Sequence, residues 1–99
     1  MSNTSSTDLA LDASGALEIL LENRFAATGR GLHEKLSSVE HQLDDITIRR
    51  IRYIASVRNS VVHRRIDIPN PERFSKLTSE SIAKLSNGEF LTPNEVINE

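Results

Sequence analysis

The 99-residue sequence contains no cysteine and no tryptophan, and only four of its residues are aromatic. The absence of cysteine excludes a disulfide scaffold, a cysteine-based zinc site and a cysteine nucleophile. No apolar run approaches the ~20 residues that a membrane helix needs, and no secretory signal opens the chain. We therefore expect a cytoplasmic protein without membrane association, whose core is built from Leu, Ile, Val and Ala.

The length of the chain allows one small domain. A domain of this size buries a modest fraction of its surface, so its stability as a monomer is limited. This raises the expectation of a homodimer.

Charge is distributed unevenly along a chain whose net charge is −2. Residues 46–66 contain six arginines and no acidic residue, whereas the flanking segments are acidic. Arginine forms forked contacts with phosphate and carboxylate groups. Two readings remain open: a local anion-binding surface, or a helix that pairs with its acidic neighbours inside the fold.

Apolar residues recur every three to four positions in four segments, which predicts an all-α, four-helix bundle-like domain. We place this domain at residues 9–86, between a flexible N-terminus at 1–8 and a C-terminal arm or disordered tail at 87–99.

Local signals predict the ends of the helices. Thr7 or Asp8 caps the first helix, which ends near Ala27, before a turn at Gly29–Gly31. The second helix covers about three turns up to Leu43.

The third helix is predicted from about Asp45 to Arg65, although its Ile and Val content would also suit a strand. The fourth helix begins with Asn70 as cap and Pro71 at the first helical position, and it stops at Asn87-Gly88.

Arg58 occupies an unusual position on the third helix. At about 100° per residue, it falls in the middle of the apolar face, where an unpaired charge would be costly. It must therefore meet a carboxylate, helix-end carbonyls, or a place where the apolar face opens into a cleft. Glu18, Glu22 and Glu40 are the acids that we consider as structural partners.

The segment from Ser56 to His63 reads Arg-Asn-x-x-x-His and closes a long apolar helix. This motif resembles that of HEPN domains, in which Arg is followed after four to six residues by His. The preceding segments Leu17–Leu21 and Gly29–Leu36 resemble the order of elements in compact HEPN proteins, so the resemblance covers roughly residues 9–86.

The resemblance implies a helical bundle that pairs about a two-fold axis, with a metal-independent ribonuclease site where the motifs meet. Such proteins serve as toxins controlled by antitoxin partners, as defence effectors and as RNA-processing modules. Other members are non-catalytic dimerisation or nucleic-acid- or nucleotide-binding modules, which is the alternative that we keep. An unrelated helical adaptor is a third possibility.

The chemistry implied is attack of an RNA 2′-OH on the adjacent phosphorus, without metal or cofactor. His63 would move protons, Arg58 would stabilise the negative phosphorane, and Asn59 would orient one of them. Flanking phosphates would contact the remaining arginines of the site, which are Arg52, Arg64 and Arg65.

Arg58 and His63 are about 140° apart on an ideal helix. Either the helix deforms between them, or the site is shared across a two-fold axis.

Two features of the chain differ from the pattern of HEPN toxins. Some of them carry a Tyr two residues after the His, which a partner nucleotidyltransferase modifies, whereas this chain has Arg65 there. The chain is also short for the superfamily.

Other chemistries find less support in the sequence. Asp44 and Asp45 lie where the third helix begins, and adjacent acids at that position are usually helix caps rather than ligands of a cation. His33 and His41 lack a zinc-ligand pattern. A helix-turn-helix DNA-binding protein is disfavoured because the third helix is rich in core residues.

Overall fold

The computed structural model describes residues 5–87, which form four α-helices and one 3₁₀ turn, with no β-strand in this range. The elements in chain order are α1 (Ser6–Phe25), α2 (Gly31–Val39), the 3₁₀ turn Glu40–Gln42, α3 (Asp45–Arg64) and α4 (Pro71–Asn87). The predicted all-α, four-helix class is confirmed. The predicted C-terminal arm lies, after Asn87, outside the described residues.

Helices α1 and α3 form the centre of the bundle, because each of them packs against the other three helices. The pairs Arg50–Glu80 and Tyr53–Arg73 show that α3 and α4 run antiparallel. The fully buried core consists mainly of aliphatic side chains, with one aromatic ring: Leu17, Leu21, Leu36, Ile51, Ile54, Phe74 and Leu85. No helix within residues 5–87 is both long and apolar enough to cross a membrane.

Helix α1 begins earlier than the sequence predicts. Its N-cap is Ser5, whose side chain accepts a hydrogen bond from the backbone N–H of Asp8 at 3.1 Å, so the predicted cap at Thr7 or Asp8 is wrong. The Ser6 hydroxyl also accepts a bond from the N–H of Ile68, 62 residues away. Helix α1 therefore begins inside the segment 1–8 that we predicted as a flexible N-terminus.

The predicted limits of α3 and α4 agree closely with the structure. Helix α3 ends at Arg64, and Arg65 follows as a left-handed cap with φ 57°. The Asn70 side chain accepts a 3.0 Å bond from the N–H of Arg73, which confirms its role as the cap of α4. The periodicity of three to four, rather than the Ile and Val content, therefore decided the conformation of α3.

Asp44 caps α3, and replacing it is expected to destabilise the fold in a pH-dependent way. Its carboxylate accepts a bond from the N–H of Thr47 at 3.4 Å. Burial raises the pKa of Asp44, but hydrogen bonds to Thr47 and the charge of Lys84 outweigh it, so the pKa lies below its usual value. We expect Asp44→Ala to lower the free energy of unfolding by about 1 kcal/mol at pH 7.

Because the folded-state pKa of Asp44 is depressed, its ionic contribution is present above the unfolded-state pKa of about 3.9. It is lost as the pH falls through the folded-state pKa. Urea unfolding of wild type, Asp44→Ala and Asp44→Asn from pH 7 to pH 2.5 tests this. Asp44→Asn keeps the cap without the charge, and an Asp44→Ala loss that is the same at every pH would contradict the prediction.

Candidate functional site

A cleft of about 260 Å³ opens between the beginning of α2 and the middle of α3. The side chains and backbone that line it are Arg30, Gly31, Leu32, His33, Glu34, Ala55, Arg58 and Asn59. We refer to it as the α2–α3 cleft. Two predicted catalytic residues, Arg58 and Asn59, therefore lie beside the start of α2, in which the sequence analysis predicted no site residue.

Lys35 fixes the position of the α2 end of this cleft. Its ammonium group donates to the carbonyl oxygen of Gly29 at 2.9 Å and lies 3.4 Å from a Glu18 oxygen and 3.2 Å from a Glu22 oxygen. Burial lowers the pKa of Lys35, but hydrogen bonds to Glu22 and Glu18 outweigh it and raise the pKa above its ordinary value. The positive charge therefore ties the turn before α2 to α1.

The turn itself requires glycine. Gly29 has φ 123°, and a Cβ at this position would lie 2.7 Å from the Cβ of Glu34. This close approach brings the Glu34 carboxylate within 2.9 Å of the N–H of Arg30, from which it accepts a hydrogen bond. The single acidic side chain in the cleft lining is thus engaged with backbone.

Arg58 is half-buried, and its guanidinium donates to the side-chain oxygen of Asn59 at 3.0 Å. Among residues 5–87, no carboxylate lies within 4 Å of this guanidinium. The three acids considered as its structural partners are otherwise engaged: Glu18 and Glu22 pair with Lys35, and Glu40 pairs with Arg52. Of the alternatives for Arg58, the structure selects the open cleft.

Arg52, six residues earlier on α3, differs from Arg58 because it has several hydrogen-bond partners and a nearby carboxylate within the protein. Its guanidinium donates to Nδ1 and to the carbonyl oxygen of His33, at 3.1 and 3.0 Å, and to the hydroxyl of Ser37 at 2.7 Å. A Glu40 oxygen lies 3.5 Å away. The structure thus places this predicted phosphate contact in a bridge from α3 to α2 and the 3₁₀ turn, with both terminal NH2 groups of the guanidinium engaged inside the protein.

The bridge determines the protonation state of His33. A guanidinium can only donate, so Nδ1 must accept, and the proton of the neutral ring lies on Nε2. Burial lowers the pKa of His33, and the nearby Arg52 charge lowers it further. The contact with Arg52 and the lowered pKa both favour the neutral ring, and His33 is one of the residues that line the cleft.

Removing the Arg52 charge is expected to raise the pKa of His33. In Arg52→Gln the Coulombic contribution disappears while burial remains, so the pKa should rise toward its ordinary value without reaching it. NMR titration of the His33 ring protons in wild type and Arg52→Gln measures this directly. Arg50→Gln, which removes a charge from the same helix at its contact with Glu80, is the control. Identical His33 titrations in wild type and Arg52→Gln would contradict the bridge.

His63 is not part of the α2–α3 cleft. It is exposed in the last turn of α3, followed by the exposed Arg64 and Arg65. Because α3 is an uninterrupted helix through this region, the deformation that could have aligned Arg58 with His63 is absent. Within one protomer the two side chains leave the helix about 140° apart.

His33 is the site residue that the sequence analysis missed. We examined it only as a zinc ligand paired with His41. The signal that could have identified it is the dense polar segment from Gly29 to Lys35, in which glycines, charged residues and a histidine surround a single leucine. The role of such a segment depends on which helix packs against it.

Among residues 5–87, no three His, Asp or Glu side chains are grouped so that they could hold a metal ion. Comparisons with protein-family models, curated proteins and solved structures find no match for the chain. The geometry of the cleft and the Arg-Asn-x-x-x-His motif are therefore the basis for assigning a function.

Proposed function

We propose that the protein is a metal-independent endoribonuclease of the HEPN type that acts as a homodimer on RNA in the cytoplasm. The observation that carries this proposal is that Arg58 lines a cleft and has no carboxylate partner among residues 5–87. Each of the other buried or half-buried cations of α2 and α3 has a carboxylate within 4 Å: Lys35, Arg50 and Arg52. Arg58 has none among the described residues and faces a cleft instead, where an anionic ligand would complete its environment.

A phosphodiester suits the other groups of the cleft. The guanidinium of Arg58 offers forked donors, and Asn59 holds one side of it in place. His33, which also lines the cleft, would add a neutral Nε2–H donor. The first backbone N–H groups of α2, whose cap residue Arg30 makes no side-chain bond to them, contribute the positive end of a helix dipole.

The proposed reaction needs no protein nucleophile. The 2′-oxygen of the RNA forms a bond to the adjacent phosphorus as the bond to the 5′-oxygen breaks. His63 accepts the 2′-OH proton, and a proton returns from the imidazolium to the departing 5′-oxygen. Arg58 stabilises the negative charge on the phosphorane. The products carry a 2′,3′-cyclic phosphate and a 5′-hydroxyl.

The continuous α3 supports a site shared between two subunits. Since Arg58 and His63 leave one continuous helix about 140° apart, we propose that His63 of the second copy completes the cleft. Ile66, three residues beyond His63, is 41% exposed and offers apolar surface for subunit contact. Arg64 and Arg65 are exposed and would contact flanking phosphates.

The biological role follows from the resemblance to HEPN domains. We propose a toxin or defence effector, held in check by an antitoxin or another regulatory protein. With Arg65 at the position of the modified tyrosine, such a partner would act by binding rather than by modifying this site.

The proposal is tested by RNA cleavage in the presence of excess chelator, with analysis of the product ends. Wild type is expected to leave 2′,3′-cyclic phosphates. Arg58→Ala should reduce the rate by about 10²–10³-fold, since one preorganised donor to a developing oxyanion is worth about that much. Arg24→Gln removes an exposed arginine in the last turn of α1 that does not line the cleft, and it should cleave like wild type. Cleavage that requires a divalent metal, or that Arg58→Ala retains, would contradict the proposal.

A second candidate function is favoured by the position of His63. The cleft holds Arg58, Asn59 and His33 without His63, which is a set suited to binding a nucleotide phosphate without cleaving it. In that case a mononucleotide would protect the protein against thermal unfolding, Arg58→Ala would abolish the protection, and RNA would remain intact.

A further inference from the structure

A second concave surface lies between the first half of α3 and the first half of α4, with a volume of about 380 Å³. It is lined by Ile46, Arg49, Arg50, Tyr53, Arg73 and Leu77, and we refer to it as the α3–α4 groove. Tyr53 and Arg58 are five residues apart on α3, so the groove opens on a different side of the helix from the α2–α3 cleft. Neither the HEPN motif nor the proposed reaction uses these residues.

The groove carries an excess of positive charge in a protein whose net charge is −2. Glu80 lies 3.6 Å from Arg50 and offsets one of the three arginines. Arg49 and Arg73 are exposed and have no carboxylate within 4 Å among residues 5–87. Two forked cations therefore remain on the rim.

The lining residues of the groove other than the arginines are apolar or aromatic, namely Ile46, Tyr53 and Leu77. The ring of Tyr53 is half-buried, and the central carbon of the Arg73 guanidinium lies 5.8 Å from its centre. Ile46 is 57% exposed, and Leu77 is partly buried. A ligand that fills this groove must combine a flat apolar group with negative charges at its edges.

An unpaired nucleotide has these two properties. Single-stranded RNA is recognised by stacking of splayed bases on aromatic rings and guanidinium planes, while cations hold its backbone. A volume of about 380 Å³ admits one base with its sugar, but a duplex does not expose its base faces. We propose that the α3–α4 groove binds an unpaired nucleotide of a single-stranded RNA, with Tyr53 against the base and Arg49 and Arg73 on the adjacent phosphates. The choice of RNA as ligand rests on the proposed function, but binding in the groove does not depend on cleavage.

The test is binding of a fluorescent 12-nucleotide single-stranded RNA, and of the same RNA in a duplex, to full-length His63→Ala, which removes the proposed proton acceptor. In this background Tyr53→Leu, which keeps apolar volume but removes the ring, should weaken single-strand binding about tenfold and leave duplex binding unchanged. Tyr53→Phe should bind like the parent. Arg24→Gln is the matched control for a general loss of charge.

The two rim arginines give an independent readout. Single-stranded phosphate contacts contribute about 0.7 each to the slope of log affinity against log salt. Replacing Arg49 and Arg73 together by Gln should therefore reduce that slope by about 1.4. Because both side chains are exposed, this variant keeps the proposal testable if Tyr53→Leu does not fold, as judged by circular dichroism.

The outcomes separate this proposal from the proposed function. Tyr53-dependent binding of single-stranded RNA with no cleavage by wild type would support the groove and overturn the ribonuclease. Cleavage by wild type, with Tyr53→Leu and the double arginine variant binding like Arg24→Gln, would overturn the groove alone. An acidic peptide with leucine anchors that binds in a Tyr53-dependent way more tightly than RNA would identify a protein-docking surface and would also overturn it.

Discussion

His63→Ala is expected to reduce chelator-resistant RNA cleavage by about 10²–10⁴-fold, the usual contribution of a positioned general acid–base group. The side chain is exposed at the end of α3, so its removal should leave the fold intact. Rates on a defined RNA, together with circular dichroism spectra, measure both effects. His41→Ala, which removes another exposed histidine of the described chain, should cleave like wild type.

A mixing experiment tests whether the site is shared between subunits. Arg58→Ala and His63→Ala are each expected to be nearly inactive as homodimers. In a mixed dimer, the intact Arg58 of one subunit meets the intact His63 of the other at one of the two sites. Since about half of the randomly mixed dimers are heterodimers, about a quarter of wild-type activity should return.

This result depends on exchange of subunits, which unfolding and refolding the two variants together ensures. If both groups acted from the same protomer, mixing would restore nothing. A strictly monomeric protein that still cleaves RNA would equally contradict the shared site. Either outcome would mean that one protomer carries the whole site.

Phe74→Ala is expected to have the largest effect on stability. Phe74 is 1% exposed and is the largest of the fully buried side chains. Truncation of a buried phenylalanine costs about 3–5 kcal/mol, because the lost transfer free energy adds to that of the cavity. Domains of this size have about 5–15 kcal/mol in total, so the variant would lose a large part of its stability.

Thermal unfolding at a fixed protein concentration measures this effect. A loss of 3 kcal/mol corresponds to a fall in Tm of about 12 °C or more for a domain of this size. Leu11→Ala is the control, because Leu11 is 42% exposed on α1 and its truncation should change stability by no more than about 0.5 kcal/mol. If Phe74→Ala melted within 3 °C of wild type, the packing assigned to α4 would be wrong.

The helices themselves were predictable because their signals are local. Asn70 followed by Pro71 predicts the start of α4 from capping chemistry alone, and the 3.0 Å bond from Arg73 N–H confirms it. The start of α1 was less predictable, since Ser5, Thr7 and Asp8 can all serve as caps. The bond between the Ser6 hydroxyl and Ile68 N–H, which spans 62 residues, accompanies the earlier start.

The candidate site was predictable only in part. The motif predicted Arg58, Asn59 and His63, of which the structure brings Arg58 and Asn59 to the cleft. The angular position of Arg58 on the apolar face of the helix indicated that it needed a partner or a cleft. The contribution of His33 could not be predicted, because it depends on a contact with Arg52 across 19 residues of sequence. No periodicity or capping rule encodes such a contact.

Arg52 and Arg58 show most clearly what sequence and tertiary structure each determined. The sequence by itself determined that both arginines lie on one helix, six residues apart, and that the helix belongs to an all-α bundle. The packing of α2 and of the 3₁₀ turn after it decided the rest: they give Arg52 four acceptors, on His33, Ser37 and Glu40, and leave Arg58 with Asn59 at an open cleft. The physical reason is that a guanidinium's partners are set by which groups fold within 3–4 Å of it. Those groups come from another helix, beyond the reach of local propensity.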